Sequence, residues 1–175
     1  MDISQIPKVE LHVHLDCSIS REVACRIRPD WDADTWRRRL VAPAKCKGLS
    51  DYLTRAEAAI ELLQSREALR WVTEDLFRQW QADRVVYGEM RFAPLEHTRG
   101  GLRPEEVMEV VCSSMQSCQA ETGIQGGLIV CSLRHYPADR AMEAAELALA
   151  WRDRGVVGFD LAGDEVHYPL APQIP

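Results

Sequence analysis

Four short apolar runs rich in β-forming residues divide this chain, and the stretches between them have helical periodicity. The runs cover residues 9–15, 85–92, 127–133 and 156–161. Apolar residues recur at helical spacing over residues 49–63, 67–80, 104–121 and 138–154. Because strands that alternate with helices form parallel βαβ units, the pattern predicts an α/β protein built on a parallel sheet.

The connection between the first two strands is much longer than the others. Residues 18–48 carry tryptophans and three consecutive arginines, and we expect a helical insertion over one end of the sheet. Ser50 is a candidate N-cap for the next helix, Pro104 suits a first helical turn, and Gly123 and Gly155 stand where helices should end. The chain of 175 residues is 46% hydrophobic and shows no interdomain linker, which predicts one domain over residues 1–175.

Charge and cysteine usage exclude several classes of function. The net charge is −6, with acidic and basic residues interleaved, so we expect no nucleic-acid or membrane partner. No apolar stretch is long enough to span a bilayer, and the first residues do not resemble a signal peptide. Without a signal, the six cysteines are better read as reduced thiols than as a disulfide framework. These features predict a cytoplasmic protein.

The first strand places ionisable residues on one face. With a period of two, Val9, Leu11 and Val13 share one side, whereas Glu10, His12, His14 and Asp16 share the other. The other strands also carry polar residues near their C-terminal ends, in the pairs Glu89 and Arg91, Ser132 and Arg134, and Gly158 and Asp160. Such groups need partners in a buried sheet, and a barrel mouth or switch-point crevice provides them.

The pair His12 and His14 is the sharpest candidate for chemistry. Two imidazoles at i and i+2 on a strand project the same way and can share a divalent metal such as zinc. The alternative is a pair of histidines that hydrogen-bond to their neighbours. Their place at the end of the first strand, directly before Asp16, favours the metal site.

Two further features point to the same end of the sheet. Asp16 is either a carboxylate at a helix start or an acceptor for a substrate hydroxyl. Residues 158–165 form a strand that ends in a small-residue turn, where Gly163 can offer its backbone N–H to a ligand. The alternative for this turn is an ordinary connection in which Asp164 or Glu165 serves the next helix.

Four charged residues within the predicted sheet suit a structural role better than catalysis. Buried carboxylates and guanidinium groups must be paired. We therefore expect structural ion pairs among Glu89, Arg91, Arg134 and Asp160.

Taken together, these motifs resemble those of the adenosine deaminase family. Residues 7–16 (PKVELHVHLD) are similar to the opening motif of the family, and residues 158–165 (GFDLAGDE) resemble its GxDLAGDE segment. The intervening residues 86–94 (VYGEMRFAP) and 133–135 (LRH) also look like family signatures in the right order. The resemblance covers nearly the whole chain.

The resemblance implies a (β/α)8 TIM-type barrel, of which this chain would hold about the first four units. It implies one zinc ion, with His12 and His14 as ligands, and hydrolysis of adenosine or deoxyadenosine to inosine and ammonia. It also implies that Asp16 binds the ribose hydroxyl, that His14 lies against the substrate and that Gly163 contacts the purine. A carboxylate that serves a sugar hydroxyl favours a nucleoside over free adenine.

The chain departs from the family pattern in two ways. The segments that supply the third histidine ligand, the catalytic glutamate and a late Asp-Asp pair are absent from these 175 residues. We therefore assign no catalytic residue here and expect no activity unless a second chain completes the barrel. Cys17 stands where the family has glycine, and its side chain could press on the substrate, distort the turn or, as a thiolate, compete for zinc.

Two other functions remain open from the sequence. One is a non-catalytic remnant that binds a purine or a partner chain. The other is a related deaminase that acts on adenine or on an N6-substituted adenosine monophosphate.

Overall fold

The computed structural model describes residues 3–170, and its strands and helices alternate as predicted. The strands are β1 (Lys8–His14), β2 (Val85–Phe92), β3 (Gln125–Leu133) and β4 (Val156–Ala162). The helices are α1 (Arg21–Ile27), α2 (Ala33–Leu40), α3 (Leu49–Leu62), α4 (Arg66–Ala82), α5 (Pro104–Thr122) and α6 (Ala138–Ala150). Short 3₁₀ helices cover Ile3–Gln5, Pro94–His97 and Arg152–Arg154.

The four strands form one parallel sheet in the order β1-β2-β3-β4. This confirms the predicted α/β class. Because all four strands run the same way, their C-terminal ends meet at one edge of the sheet, where the loops that follow them converge. β1 and β4 are the two outer strands, and β2 and β3 lie between them.

Helices α4 and α5 pack together and supply most of the helical side of the core. Met90 and Phe92 of β2 and Leu128 and Val130 of β3 are buried in this layer. α4 comes so close to the sheet that a Cβ at Gly88 would lie 2.6 Å from the Trp80 ring. Such dense packing of apolar groups is the main stabilising contribution expected for a domain of this kind.

Residues 18–48 form the expected helical insertion, which consists of α1 and α2. The Trp36 indole N–H donates to the Ile19 carbonyl at 3.3 Å and ties α2 to the start of the segment. Within residues 3–170, no helix has the length and apolar character needed to cross a membrane. All six cysteines are free thiols.

Several local predictions need correction. Gly48, not Ser50, is the N-cap of α3, and the Ser50 hydroxyl donates instead to Asp164 at 2.9 Å. The last helix ends at Ala150 and continues as a 3₁₀ turn, although Gly155 follows it as predicted. The prediction that Ser132 lies on the polar face of β3 is wrong. Cys131 pairs with Asp160 on that face, so the next residue, Ser132, faces the helices.

The strict alternation predicted for the first strand is wrong. Val9 pairs with Tyr87, on the face away from the helices, whereas Val13 pairs with the buried Met90. The two valines therefore lie on opposite faces, because β1 contains an irregularity between Glu10 and Val13.

Candidate active site

A cleft of about 610 Å³ opens at the C-terminal ends of the strands. Each strand contributes to it, and α3 forms an apolar wall with Leu49, Leu53 and Ile60. The cleft brings together the predicted site residues, which are His12, His14, Asp16, Cys17, Arg91, Asp160 and Gly163. Glu89 and Arg134 are outside its lining.

His12 and His14 lie side by side at the end of β1, with ring centroids 5.6 Å apart. Within residues 3–170, neither imidazole makes a hydrogen bond through its ring nitrogens, so the alternative of two histidines bonded to neighbours is not what the geometry shows. Burial lowers the pKa of His14, and the adjacent His12 and Arg91 lower it further. His14 is therefore neutral at pH 7 and has a lone pair available for a cation.

Asp16 is buried at the floor of the cleft, in the turn that follows β1. Backbone hydrogen bonds from Cys17 to His14 and from Ser18 to Leu15 close this turn. Burial raises the pKa of Asp16 to about 6, against the opposing effect of hydrogen bonds from Cys17. At pH 7 the group is still mostly ionised and can accept a hydrogen bond. The helix-cap alternative is not observed, because Ser20 caps α1.

His97 is a buried neighbour of Asp16 to which sequence reasoning assigned no ligand role. Its Nδ1 lies 2.9 Å from the Leu63 carbonyl oxygen, and its Nε2 lies 3.9 Å from Oδ2 of Asp16. Burial lowers the pKa of His97 to about 4. The ring is therefore neutral at pH 7, and because Nδ1 must donate to the carbonyl, Nε2 faces Asp16 as an acceptor.

Cys17 reaches the surface at the wall of the cleft, directly after Asp16. Desolvation by the cleft walls and the charge of Asp16 raise the pKa of its thiol well above the ordinary value. In the metal-free protein the thiol is therefore protonated at neutral pH. Its bulk beside Asp16 remains a feature that a glycine would lack.

The turn after β4 supplies the opposite wall. Gly163 adopts φ +110°, a conformation that side-chain-bearing residues rarely adopt. Asp164 accepts hydrogen bonds from Ser50 at 2.9 Å and from the backbone N–H of Val166 at 3.0 Å, and His167 Nδ1 lies 2.6 Å from it. These bonds hold the turn against the N-terminal end of α3. The hydrogen bond with His167, and to a smaller extent that from Ser50, also keeps the pKa of Asp164 low, at about 2.

The predicted ion pairs form in a different arrangement. Arg91 Nη1 contacts Asp160 Oδ2 at 2.8 Å, and Arg134 Nη2 contacts Glu165 Oε1 at 3.3 Å. Glu89 accepts a hydrogen bond from the Tyr87 hydroxyl at 2.9 Å and makes no ion pair with Arg91. Arg91 thus reaches across β3 to β4: it pairs with Ile129 of β3, whereas Asp160 pairs with Cys131 of the same strand.

Sequence reasoning missed a buried polar cluster at the rim of the cleft. Glu96 accepts a hydrogen bond from the Tyr136 hydroxyl at 2.6 Å and pairs with Arg99 at 2.5 Å. Burial alone would raise the pKa of Glu96, but these two donors lower it below its usual value. The pattern carries no motif, since Glu96 and Tyr136 are 40 residues apart.

Two imidazoles at one strand end are a suitable pair of ligands for zinc, which binds histidine nitrogen readily. Within residues 3–170 no group of three or more His, Cys, Asp or Glu side chains could hold a metal ion. The residues present therefore fit part of a zinc site, and a catalytic site would require further ligands.

Sequence comparison places this chain in a known family. The sequence model of the family described as Adenosine deaminase matches residues 7–173. Adenosine deaminase of Enterococcus faecalis is 39% identical over 95% of this chain and 51% of its own length. Adenosine deaminase of Clostridium perfringens is 35% identical over 98% of this chain and 54% of its own length. The chain thus spans about half the length of the curated relatives it matches.

Solved structures match the fold over a similar span. An amidohydrolase from Burkholderia ambifaria with bound zinc superposes with a TM-score of 0.82 at 20% identity, over 98% of this chain and 48% of that protein. Adenine deaminase from Arthrobacter aurescens gives 0.81 at 22% identity, over 95% and 52%. The Arabidopsis N6-mAMP deaminase gives 0.75 at 25% identity, over 96% and 52%. The four-stranded sheet therefore matches the first half of TIM-barrel amidohydrolases.

Proposed function

Because this chain belongs to the adenosine deaminase family, we propose that it forms the first half of a zinc-dependent enzyme that hydrolyses adenosine or deoxyadenosine to inosine and ammonia. The observation that carries the proposal is the pair of imidazoles, His12 and His14, at the end of β1 in a cleft that also holds Asp16. When bound, zinc supplies the Lewis acid that makes water nucleophilic at neutral pH.

The residues of this chain would bind and orient the substrate. His12 and His14 would hold zinc, and His14 would also lie against the substrate. Asp16, buried and mostly ionised at pH 7, would accept a hydrogen bond from the ribose hydroxyl. The Gly163 backbone N–H has no side chain in front of it and would contact the purine ring. The apolar wall of α3 would exclude water from this end of the cleft.

The position of Asp16 favours a nucleoside over free adenine. A buried carboxylate that loses its hydroxyl partner keeps its desolvation cost, which weakens binding of a substrate without the sugar. We therefore expect the natural-length protein to deaminate adenosine in preference to adenine, and a substrate series that includes N6-methyl-AMP distinguishes the related activities.

The remaining catalytic groups would come from outside these 175 residues, either from a longer natural chain or from a second chain that completes the barrel. This part of the proposal predicts that the 175-residue chain alone has no turnover. Zinc-dependent formation of inosine by the rigorously purified 175-residue chain would contradict it.

The main test compares His12→Ala and His14→Ala with the unaltered protein at its natural length. Each change should remove a zinc ligand, lower the bound zinc per chain and reduce kcat/KM for adenosine by about 100-fold or more. His135→Ala is the matched control, since His135 also lines the cleft but has no place in the proposed zinc site. Retention of zinc and turnover in either ligand variant would refute the assignment.

A further inference from the structure

The strand that carries the two histidines contains a local extra residue, which compensates for an extra residue of β2 between Val85 and Tyr87. Between Glu10 and Val13, β1 advances three residues, whereas β2 advances only from Gly88 to Met90. One extra residue against a neighbouring strand is the definition of a β-bulge, and bulges occur frequently next to active sites, where they redirect side chains.

The bulge decides which face the histidines occupy. The register set by Lys8 and Val85 is lost at Val9, because β2 has its own extra residue there. With that irregularity in place and no bulge in β1, counting from the pair of Val9 with Tyr87 would place His12 beside Met90 and His14 beside Phe92. Both imidazoles would then point into the helix-covered core, because a shift of one residue moves every side chain to the other face. With the bulge, Val13 lies beside Met90 and His14 beside Arg91, on the side of the cleft.

Two side chains form hydrogen bonds with backbone groups at the bulge. The His12 N–H donates to Oε1 of Glu10 at 2.9 Å. Nη2 of Arg91 donates to the Leu11 carbonyl at 3.2 Å. Nη1 of the same guanidinium is paired with Asp160 on β4, so a strand at the opposite edge of the sheet also fixes the position of Arg91. Hydrogen bonds that involve a carboxylate or a guanidinium group are stronger than those between neutral groups, so these two contacts stabilise the bulge.

We propose that Glu10 and Arg91 are positioning residues for the zinc site, because they stabilise the bulge that turns His12 and His14 into the cleft. This inference rests on the proposed role of the two histidines as zinc ligands. Groups that orient metal ligands affect metal retention without touching the metal, and their removal typically costs 10- to 100-fold in affinity.

The experiment uses the natural-length protein loaded with zinc and two readouts. The first is the rate at which a colorimetric chelator removes zinc. The second is the hydrogen-exchange rate of the His12 amide, which reports the Glu10 hydrogen bond without any metal. Glu10→Ala should release zinc about 10- to 100-fold faster and should speed exchange of the His12 amide.

Glu10→Gln separates the hydrogen bond from the charge. Its side-chain oxygen can still accept from the His12 N–H, so we expect both rates to return close to those of the unaltered protein. Tyr87→Phe is the matched control, because it removes the hydrogen bond to Glu89 on the neighbouring strand without touching the bulge. It should leave zinc release and His12 exchange unchanged.

Arg91→Lys provides a second, independent variant. A single ammonium group lacks the planar fork that serves the Leu11 carbonyl and Asp160 together, so zinc release should again be faster. Unchanged zinc release in Glu10→Ala would overturn the inference, as would a Glu10→Gln protein that loses zinc as fast as Glu10→Ala.

Failure of the proposed function gives a different result. An unaltered protein without zinc would refute the assignment of His12 and His14 as ligands. The exchange rate of the His12 amide would still decide, in the same variants, whether Glu10 holds the bulge.

Discussion

The two inner strands and the two outer strands of the sheet are stabilised in different ways. β2 and β3 are largely buried, and apolar side chains such as Phe92 and Leu128 pack against α4 and α5. β1 has no buried residue, and β4 has one, Val156. Yet the outer strands carry His12, His14 and Asp160 and lead into Asp16 and Gly163. The candidate chemistry thus sits on the strands with the least apolar support, where polar contacts determine the geometry.

The largest expected difference is in the response to loss of a phenylalanine side chain. Phe92 on β2 is 1% exposed, whereas Phe159 on β4 is 48% exposed. Phe92→Ala should lower the free energy of unfolding by about 3–5 kcal/mol, since it leaves a cavity in the core. Phe159→Ala should cost about 1 kcal/mol or less, because the side chain is already half in water. Urea unfolding of the 175-residue chain measures both.

Equal losses of stability in Phe92→Ala and Phe159→Ala would contradict the difference between the inner and the outer strands. They would mean that β4 is covered in solution by apolar groups to the same extent as β2. The same pair of variants in the natural-length protein then tests whether further chain covers Phe159, because its cost should rise there.

A second prediction concerns the point where an inner and an outer strand meet. His97 follows β2 and faces Asp16, which follows β1, at 3.9 Å. Its pKa is lowered from 6.5 to about 4 in the fold by burial. Below pH 6.5 the unfolded chain binds a proton that the native state does not, so stability is complete above pH 6.5 and is lost as the pH falls toward 4. The loss amounts to roughly 3 kcal/mol.

The measurement compares the unaltered protein with His97→Gln between pH 7 and pH 4. Glutamine can still donate to the Leu63 carbonyl but does not titrate. Asp16 moves the stability in the opposite direction, since its pKa is raised to about 6, but it does so in both proteins. The advantage of the unaltered protein over His97→Gln should therefore shrink as the solution is acidified. A constant difference over this range would show that His97 is not held neutral.

The same contrast between strands explains how far the sequence could predict the structure. Apolar runs predicted the bounds of all four strands to within two residues, and the bounds of β2 match the prediction at both ends. The cleft at the C-terminal edge and its main residues also followed from the parallel order of the strands. The local sequence pattern was sufficient to predict structure where the burial of apolar side chains determines it.

The predictions that failed depend on partners far away in the chain. The bulge in β1 is held partly by Arg91, 80 residues from Leu11, so period-two alternation could not reveal it. Ser50 lies inside the first turn of α3, after the N-cap Gly48, and its hydroxyl bonds to Asp164, 114 residues away. The ion pairs were predicted by residue type, but which carboxylate each arginine reaches depends on the strand order and register.

The smallest expected effect is at the end of β4. Gly163→Ala places a Cβ on a residue at φ +110° but brings it no closer than 3.6 Å to the Arg134 backbone nitrogen, so the cost is conformational rather than steric. We expect a loss of about 1–2 kcal/mol in the free energy of unfolding. If the Gly163 N–H contacts the purine, KM for adenosine in the natural-length protein should also rise, because relief of the strain rotates that N–H. Gly101→Ala is the matched control, since Gly101 has φ +94°, an open surrounding and no place in the cleft. If Gly101→Ala loses a similar amount of stability but keeps its KM, the binding effect belongs to the turn after β4. An unchanged KM in Gly163→Ala would instead remove Gly163 from the substrate contacts. The outer strand β1 would then carry most of the chemistry in this half of the protein.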